Sequence, residues 1–364
     1  MLMPVHPPTP DLAALLADEG LSFREQEAMR APIRAACAAN TDVATFEDLG
    51  ESEEGRPLYG VVLGRGPRAV SLIAGAHADE PVGPETLRTF VLESLRRRET
   101  YAGLFDAFRF VIVPHVNPDG EARNRAWIAQ WPSLAAYLTR VVREQPGRDL
   151  EFGFPTMRVE NRLVADFMRA HAPFGLHMSL HGMGFSEGAM LLIDRHWAGR
   201  TQRLRDGFAD AARAAGLRLH DHNRKGEKGF FYIEPGFTTT PEGAAMRAYF
   251  LSLHDETTAA LFHDSSMEYA RSLGGAPLCL VTELPLFVVA QREPGEAGRP
   301  ASYLAFRECL PQLRQRAAQG GDLSDLAEPF GLQPLDLRTA VALHLRALTL
   351  GLEAFGSASG VNRL

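Results

Sequence analysis

The stretch that decides the fold runs from Ala69 to Gly83 and reads AVSLIAGAHADEPVG. Its first five residues are apolar and partly β-branched, which predicts a short buried strand. The residues that follow, Pro84 to Arg98, carry apolar side chains at helical spacing and predict a helix. His77 and Glu80 therefore lie where a strand ends and a helix begins, and their i, i+3 spacing lets an imidazole and a carboxylate share one ion. The simpler alternative is a loop histidine beside an acid that favours the positive end of a helix dipole.

The whole chain has 364 residues, of which 45% are hydrophobic and 23% charged, the composition of a globular protein with one large or two ordinary domains. The net charge is −7 and there is no basic stripe, so we expect no nucleic-acid partner. No apolar run reaches the roughly 20 residues needed to span a bilayer, so we expect no membrane partner either.

The N-terminus and the cysteines bear on the compartment. The first 20 residues lack a basic segment before their apolar part, so we do not expect a secretory signal. Three cysteines, Cys37, Cys279 and Cys309, are scattered along the chain and indicate no disulfide framework. We therefore expect a reducing, cytoplasmic location.

Strands and helices alternate through the middle of the chain. This pattern predicts an α/β fold with a mixed, mostly parallel twisted sheet flanked by helices. We expect residues 1–44 to form an N-terminal helical extension, residues 45–310 the main domain, and residues 311–364 helices that pack on that domain. Within the main domain, residues 121–157 are expected to be loop-rich and residues 220–243 to form a long surface loop.

Four short motifs occur in order: His77-x-x-Glu80, Asn117-Pro118-Asp119-Gly120, His181 at a strand end, and Thr282-Glu283-Leu284. Each is weak alone. In this order and at these separations, the chain from about residue 49 to 287 resembles the zinc carboxypeptidase family, the M14 metallopeptidases. The resemblance implies that the main domain has the zinc carboxypeptidase-like, phosphorylase/hydrolase-type fold.

The resemblance also implies a ligand set. His77, Glu80 and His181 would bind one Zn²⁺ per chain and leave a position open for water, as in catalytic zinc sites. Glu283 matches the family's general acid/base, although a surface glutamate at a strand end is the alternative. Asp149 matches the aspartate that orients the first zinc histidine through its other ring nitrogen.

His177 competes with His181 for the third ligand position, because both side chains face the same side of the predicted strand. We prefer His181, which precedes Gly182-Met183-Gly184 at the carboxyl edge where open α/β sheets place their sites. His177 would lie about 13 Å further down the strand at roughly 3.3 Å per residue. We expect it to be a hydrogen-bonded core histidine.

Substrate recognition is where the chain departs from the family pattern. Glu151 and Phe152 stand where the family has the Asn-Arg pair that holds a terminal carboxylate, and an acid and a ring cannot do that. We expect both to contact substrate, and the acid to favour a substrate with a blocked, displaced or amine-bearing end. A substrate carboxylate would have to find other cations, namely Arg123, Arg125, Arg158, Arg224, Lys225 or Lys228.

Two further positions remain open. The family's catalytic arginine is expected to be Arg123 or Arg125, which would polarise the scissile carbonyl. The substrate-capping tyrosine is missing, and His263 or Tyr249 is the candidate substitute.

We predict a zinc-dependent hydrolase of amide bonds, of the metallocarboxypeptidase type, that acts on a small or modified peptide with non-standard C-terminal recognition. The alternative is an N-acyl amino-acid deacylase or amidase of the desuccinylase–aspartoacylase type. A third hypothesis is a non-catalytic binding module that keeps the fold. The sequence leaves the oligomeric state open.

Overall fold

The structure is a computed structural model that describes residues 10–16, 20–291 and 296–358. Its strands are β1 Ala44–Glu51, β2 Pro57–Leu63, β3 Arg68–Ala74, β4 Phe108–Val113, β5 Leu176–Ser186, β6 Gly188–Ile193, β7 Arg218–Leu219, β8 Tyr232–Glu234, β9 Phe237–Thr239, β10 Leu278–Val288 and β11 Gln333–Pro334. Its helices are α1 Gln26–Ala38, α2 Val82–Arg96, α3 Ala102–Ala107, α4 Pro118–Ile128, α5 Leu134–Arg140, α6 Val159–His171, α7 Gln202–Ala214, α8 Gly243–Ser252, α9 Glu256–Ala259, α10 Ser266–Ser272, α11 Ala301–Ala318, α12 Ser324–Ala327 and α13 Leu337–Ala358. Short 3₁₀ helices cover Leu12–Leu15, Leu150–Phe152, Ala198–Arg200, Glu227–Gly229 and Glu328–Phe330.

One mixed sheet joins the strands in the order β1-β2-β4-β3-β5-β10-β6-β9-β8. The four strands at its centre, β4, β3, β5 and β10, are parallel to one another. Antiparallel pairs flank this centre, β2 with β4 on one side and β6 with β10 on the other. The predicted mixed sheet with a parallel centre is therefore confirmed.

Helices cover both faces of the sheet, which explains why nearly all residues of β3, β5 and β10 are buried. On one face, α2, α7 and α13 contribute to a large hydrophobic cluster together with residues of β3, β5 and β10. On the other face, α6 and α10 pack in a second cluster. This burial leaves the carboxyl ends of the central strands as the place where polar side chains gather.

Most predicted elements match the structure, but the segment expected to be loop-rich does not. Pro118 begins α4, with Asn117 as its N-cap, and α5 follows it. A pattern search does not detect these helices, because α4 has little amphipathic periodicity and α5 has only seven residues. The expected long surface loop contains β8 and β9, and residues from it line the central cavity described below.

The terminal segments pack on the same core. Leu12, Leu15 and Ile33 belong to the large cluster that also includes residues of α13. Residues 1–9, 17–19, 292–295 and 359–364 lie outside the described residues, so parts of the predicted N-terminal extension and of the predicted C-terminal helices are not covered. No helix within the described ranges is both long and apolar enough to cross a bilayer.

Candidate metal centre and cavity

The loop after β3 brings His77 and Glu80 to the sheet edge. It leaves the strand through Gly75, whose φ of +73° is in the left-handed region that favours glycine. At Gly83 a Cβ atom would lie 2.5 Å from the carbonyl oxygen of Leu180, so only glycine lets the start of α2 come this close to β5. This close contact places the loop against the strand that carries His181.

Three donor atoms converge there. His77 Nδ1 lies 3.0 Å from Glu80 Oε1, and His181 Nδ1 lies 2.9 Å from Glu80 Oε2. The two Nδ1 atoms are 2.9 Å apart. All three side chains are at least largely buried, and Glu80 Oε2 also accepts a hydrogen bond of 3.1 Å from the backbone N–H of Gly182. The structure thus brings together the three residues predicted as zinc ligands.

This donor set suits a zinc ion. Donors of a tetrahedral site with metal–ligand distances of ~2.0–2.1 Å are roughly 3.3–3.4 Å apart, close to the separations seen here. Two imidazole nitrogens that face each other cannot satisfy one another unless one carries a proton, whereas both can donate a lone pair to a cation. His77, Glu80 and His181 are also the only group with this ligand geometry found among the described residues.

Each histidine has a carboxylate behind it. Asp149 lies 3.3 Å from Nε2 of His77, and Glu151 Oε2 lies 3.0 Å from Nε2 of His181. Zinc-bound histidines typically donate their other ring N–H to such a carboxylate, which fixes the orientation of the ring. The contact of Asp149 is the one that the family resemblance implies.

Glu151 has contacts different from those predicted. Its side chain is buried, Oε2 also accepts a hydrogen bond of 3.0 Å from Ser179 Oγ, and Oε1 accepts hydrogen bonds from the N–H (3.0 Å) and Oγ (2.5 Å) of Ser266. Both oxygens are therefore satisfied by protein groups. The expectation that this acid faces an amine on the substrate is wrong, because no lone pair is left to face outward.

The charges at the centre favour ionised carboxylates. Burial raises the pKa of Glu80, but the neighbouring His77, Arg143 and His181 outweigh burial and hold that pKa well below its ordinary value. Burial likewise opposes ionisation of Glu151, and its hydrogen bond to His181 still lowers the pKa. Both carboxylates are thus ionised at neutral pH.

Glu283 stands apart from this network. It lies on β10, and its Cα partner in the parallel ladder is His181 on β5. Its Oε2 is buried without a hydrogen-bond partner, and the side chain lines the cavity. Burial, followed by the nearby charge of Glu80, raises the pKa of Glu283 to about 8. A carboxyl group with a raised pKa and a free oxygen beside three ligands is suited to proton transfer.

The arginine near the centre is Arg143, which the sequence prediction missed. Its Nη1 lies 2.7 Å from Glu80 Oε1 and 3.2 Å from Asp79 Oδ1. Arg123 instead pairs with Glu54 on the surface, and Arg125 pairs with Glu25. Neither lines the cavity, so the prediction that one of them faces the substrate is wrong.

The helix α4 explains this error, because it turns both arginines toward surface acids rather than toward the sheet edge. Arg143 lies in the segment after α5, only six positions before Asp149 in the chain. That closeness to a motif residue is the one sequence signal that could have pointed to it.

The remaining residues named from the sequence differ in whether they line the cavity. Phe152 lines the cavity and packs edge-on against Phe262, with ring centroids 5.6 Å apart. His263 is exposed, and its backbone N–H donates to the carbonyl of Phe152, so its side chain is not part of the cavity wall. Tyr249 and Lys225 also lie outside the lining. His177 is fully buried and hydrogen-bonds Ser71 Oγ (3.0 Å) and Ser266 Oγ (3.1 Å), as expected of a core histidine.

Arg158 is buried and pairs with Glu160 at 2.8 Å and with Glu53 at 3.4 Å, so it is not available to a substrate. Of the cations proposed from sequence to hold a carboxylate, only Arg224 and Lys228 line the cavity.

The cavity has a volume of about 840 Å³, within the range of small-molecule sites. His77, His181 and Glu283 lie at its inner end, with Arg143 and Tyr137 beside them. An apolar wall comes from Phe152, Phe230, Met246, Phe250 and Phe262. Opposite it, helix α11 contributes Tyr303, Phe306, Arg307, Leu310 and Arg314.

Two histidines and a glutamate at the carboxyl edge of a mixed sheet, facing a free glutamate across one cavity, define a site of the metallohydrolase class. A family model described as zinc carboxypeptidase matches residues 29–193, which include the three ligands but end before Glu283. The chain is 30% identical over 159 residues to carboxypeptidase B of Astacus astacus, covering 42% of this chain and 52% of that protein. It is 28% identical over 119 residues to carboxypeptidase M of Mus musculus, covering 30% of this chain and 27% of that protein.

Among solved structures, carboxypeptidase A from Helicoverpa armigera superposes with a TM-score of 0.52 at 15% identity, covering 96% of this chain and 78% of that chain. At 15% identity, the superposition shows a similar fold and nothing about function. The chain spans about half or less of the length of the two curated relatives it matches. Taken together, these matches show that residues 29–193 of this chain are similar in sequence to zinc carboxypeptidases and that its fold is similar to theirs.

Proposed function

We propose that the protein is a zinc-dependent peptidase of the carboxypeptidase type that binds one Zn²⁺ per chain and acts on a small or modified peptide. The observation that carries this proposal is Glu283, a partly buried glutamate whose Oε2 is buried without a hydrogen-bond partner, in register with His181 on the neighbouring parallel strand. A merely structural glutamate at this depth would be expected to have a partner.

The chain's own residues divide the chemistry. His77, Glu80 and His181 would hold the metal, which when bound supplies a Lewis acid and a water of lowered pKa. Glu283 takes the proton of the attacking water and passes it to the leaving amine. Arg143, which already faces the centre, steadies the negative charge that develops on the carbonyl oxygen, the role predicted for Arg123 or Arg125.

Recognition of the substrate is non-standard. Phe152 offers an apolar surface, and Glu151 has no free oxygen for the substrate. A chain end bound here must therefore be recognised by other groups that line the cavity. A cytoplasmic location stays a prediction, based on the three unpaired cysteines.

The second candidate is an N-acyl amino-acid deacylase or amidase. Asn161 of the Asn161–Arg162 pair on α6 is buried and bonded to the carbonyl of Leu150 rather than facing the cavity, so this pair offers a carboxylate receptor to neither candidate. Without an Asn-Arg pair in the cavity, a free peptide C-terminus has no familiar receptor there.

The two candidates are separated by turnover of matched substrates by the zinc-loaded protein. We expect hydrolysis of N-blocked dipeptides at a higher kcat/KM than that of N-acyl amino acids with the same leaving residue. The reverse order would assign the deacylase function. Zinc-loaded protein that turns over neither class, while keeping its metal, would favour the non-catalytic binding module.

A further inference from the structure

The outer wall of the cavity is built by two segments distant in sequence. On α11, Tyr303, Arg307, Leu310 and Arg314 follow at steps of four, three and four residues, which places them on one helix face. The other segment follows β7 and contributes His220, His222, Arg224, Glu227 and Lys228 to the lining. Four cations and one acid therefore line this part of the cavity.

Arg307 has no acid partner. No ion pair joins it to any residue in the described ranges, and its nearest aromatic contact is Tyr303, with the guanidinium carbon 5.9 Å from the ring centroid. Arg224 differs, because it pairs with Glu227 at 3.3 Å. Arg316, on the same helix α11, pairs with Asp325. Among the described residues, Arg307 is thus a positive charge on the cavity wall that no acidic side chain neutralises.

His220 adds a second, independent observation. It is only 2% exposed, and its Nδ1 is buried without a hydrogen-bond partner among the described residues. Its ring packs edge-on against His222 and Tyr303, with centroids 5.5 and 4.8 Å away. An unpaired buried nitrogen is costly unless a ligand or water satisfies it.

The acids near this group are already occupied. Asp221, between the two histidines, accepts hydrogen bonds from the hydroxyl of Tyr232 (2.8 Å) and the N–H of Gly298 (2.7 Å). Glu227 is shared between Arg224 and Lys228. Burial lowers the pKa of His222, and the charges of Arg224 and Arg307 lower it further, so both arginines act on the same point of the cavity.

From this juxtaposition we propose that Arg307, together with His220, His222 and Arg224, forms a subsite that binds a carboxylate of the substrate. The inference rests on the proposed peptidase function and adds the class of group that the enzyme selects. The guanidinium fork of Arg307 matches the two oxygens of a carboxylate, and the histidine ring supplies the unpaired nitrogen beside it. The carboxylate is either the free C-terminus or an acidic side chain.

The test uses four N-blocked dipeptides that differ only in two ways: glutamate or glutamine as the C-terminal residue, and a free acid or an amide at its end. In one of the two charged/neutral pairs, we expect wild-type zinc protein to favour the charged peptide by about tenfold or more in kcat/KM. This is the scale of one hydrogen-bonded charge. The pair that shows the preference identifies the source of the carboxylate. Arg307→Gln is expected to remove most of that preference and Arg316→Gln to keep it.

A preference of similar size in wild type and Arg307→Gln would overturn the subsite, as would no preference at all. In both cases turnover of the neutral peptides would leave the peptidase function standing. If no peptide is hydrolysed, the peptidase function fails and the subsite is judged by binding instead. Calorimetry with N-acetylglutamate and N-acetylglutamine amide, which lacks both carboxylates, should then show tighter binding of the diacid by wild type and by Arg316→Gln only; equal binding of the two compounds by wild type would refute the subsite.

Discussion

The two ends of the cavity are built on opposite principles. At the inner end, Glu80, His181 and Glu151 are buried and each polar atom has a protein partner at about 3 Å. At the outer wall, Arg307 is exposed and has no acid partner among the described residues. Chemistry needs groups that do not move, whereas recognition needs groups left free for a ligand. The difference shows which part of the site is complete without substrate.

The largest expected effect is the loss of the metal ion from the inner end of the cavity. His77→Ala or His181→Ala should remove most of the zinc from the purified protein, because each takes away one of three converging donors. Metal content by elemental analysis checks this. His177→Ala is the matched control on the same strand and should keep its zinc, since that ring bonds Ser71 and Ser266 instead. An empty site in His177→Ala would reverse the ligand assignment.

The second effect separates metal binding from proton transfer. Glu283→Gln should keep zinc and fold but lose at least about 10²-fold in kcat, or about 2.7 kcal/mol of transition-state stabilisation. Glu93→Gln, which changes an acid on α2 that pairs with Arg96 outside the cavity lining, should stay near the wild-type rate. A near wild-type rate for Glu283→Gln would move the base to another group.

The third effect concerns Glu151, which the sequence places at the substrate and the structure places behind His181. Glu151→Gln should weaken zinc affinity about 10- to 100-fold, the usual cost of losing an outer-shell partner. Competition with a chelator measures it, and Phe152→Leu is the neighbouring control. Introducing the family's pair, Glu151→Asn with Phe152→Arg, should therefore cost zinc before it changes selectivity. Unchanged zinc affinity in Glu151→Gln would instead support the sequence prediction that Glu151 contacts the substrate.

The smallest effect appears in stability rather than in catalysis. His344 is fully buried on α13, its Nδ1 lies 2.7 Å from Thr282 Oγ1, and burial lowers its pKa to about 3. The folded state keeps this histidine neutral, while the unfolded chain binds a proton below its ordinary pKa of ~6.5. Stability from this residue is therefore intact above that pH and falls as the pH drops toward 3.

At pH 5 this linkage amounts to about 2 kcal/mol. Urea unfolding of wild type and His344→Gln at pH 7 and pH 5 measures it, and the variant should lose less stability between the two pH values. His177 and His115, whose pKa values burial lowers to about 4, act in the same direction and remain in both proteins. Equal losses would show that His344 does not contribute.

Sequence reasoning predicted the inner end because its residues lie in short local motifs, to which the resemblance to zinc carboxypeptidases assigns roles. His77 and Glu80 sit three apart at a strand–helix junction, and His181 and Glu283 each lie on an apolar strand. Sequence reasoning did not predict that Glu151 supports His181, because this role depends on contacts among β5, α10 and a 3₁₀ helix that are distant in the chain. No spacing in the chain records such a meeting.

Sequence reasoning did not predict the role of the outer wall, for a related reason. Arg307 looks like any arginine on a surface helix until α11 is packed across from His220. Arg143 was missed because its loop follows two helices that lack a clear apolar stripe, so the segment looked irregular throughout. Burial and ladder pairing can be predicted from local patterns, but the packing of distant irregular segments cannot.

The ladder that pairs Glu283 with His181 has a consequence for how this chain tolerates change. Side chains alternate faces along a strand, so a one-residue insertion or deletion in β10 before Glu283 would turn the carboxylate to the far side of the sheet. A two-residue change would restore the face but shift the group by about 6.6 Å along the strand. The number of residues in β10 before Glu283 is thus fixed by the site as firmly as the identity of Glu283 itself.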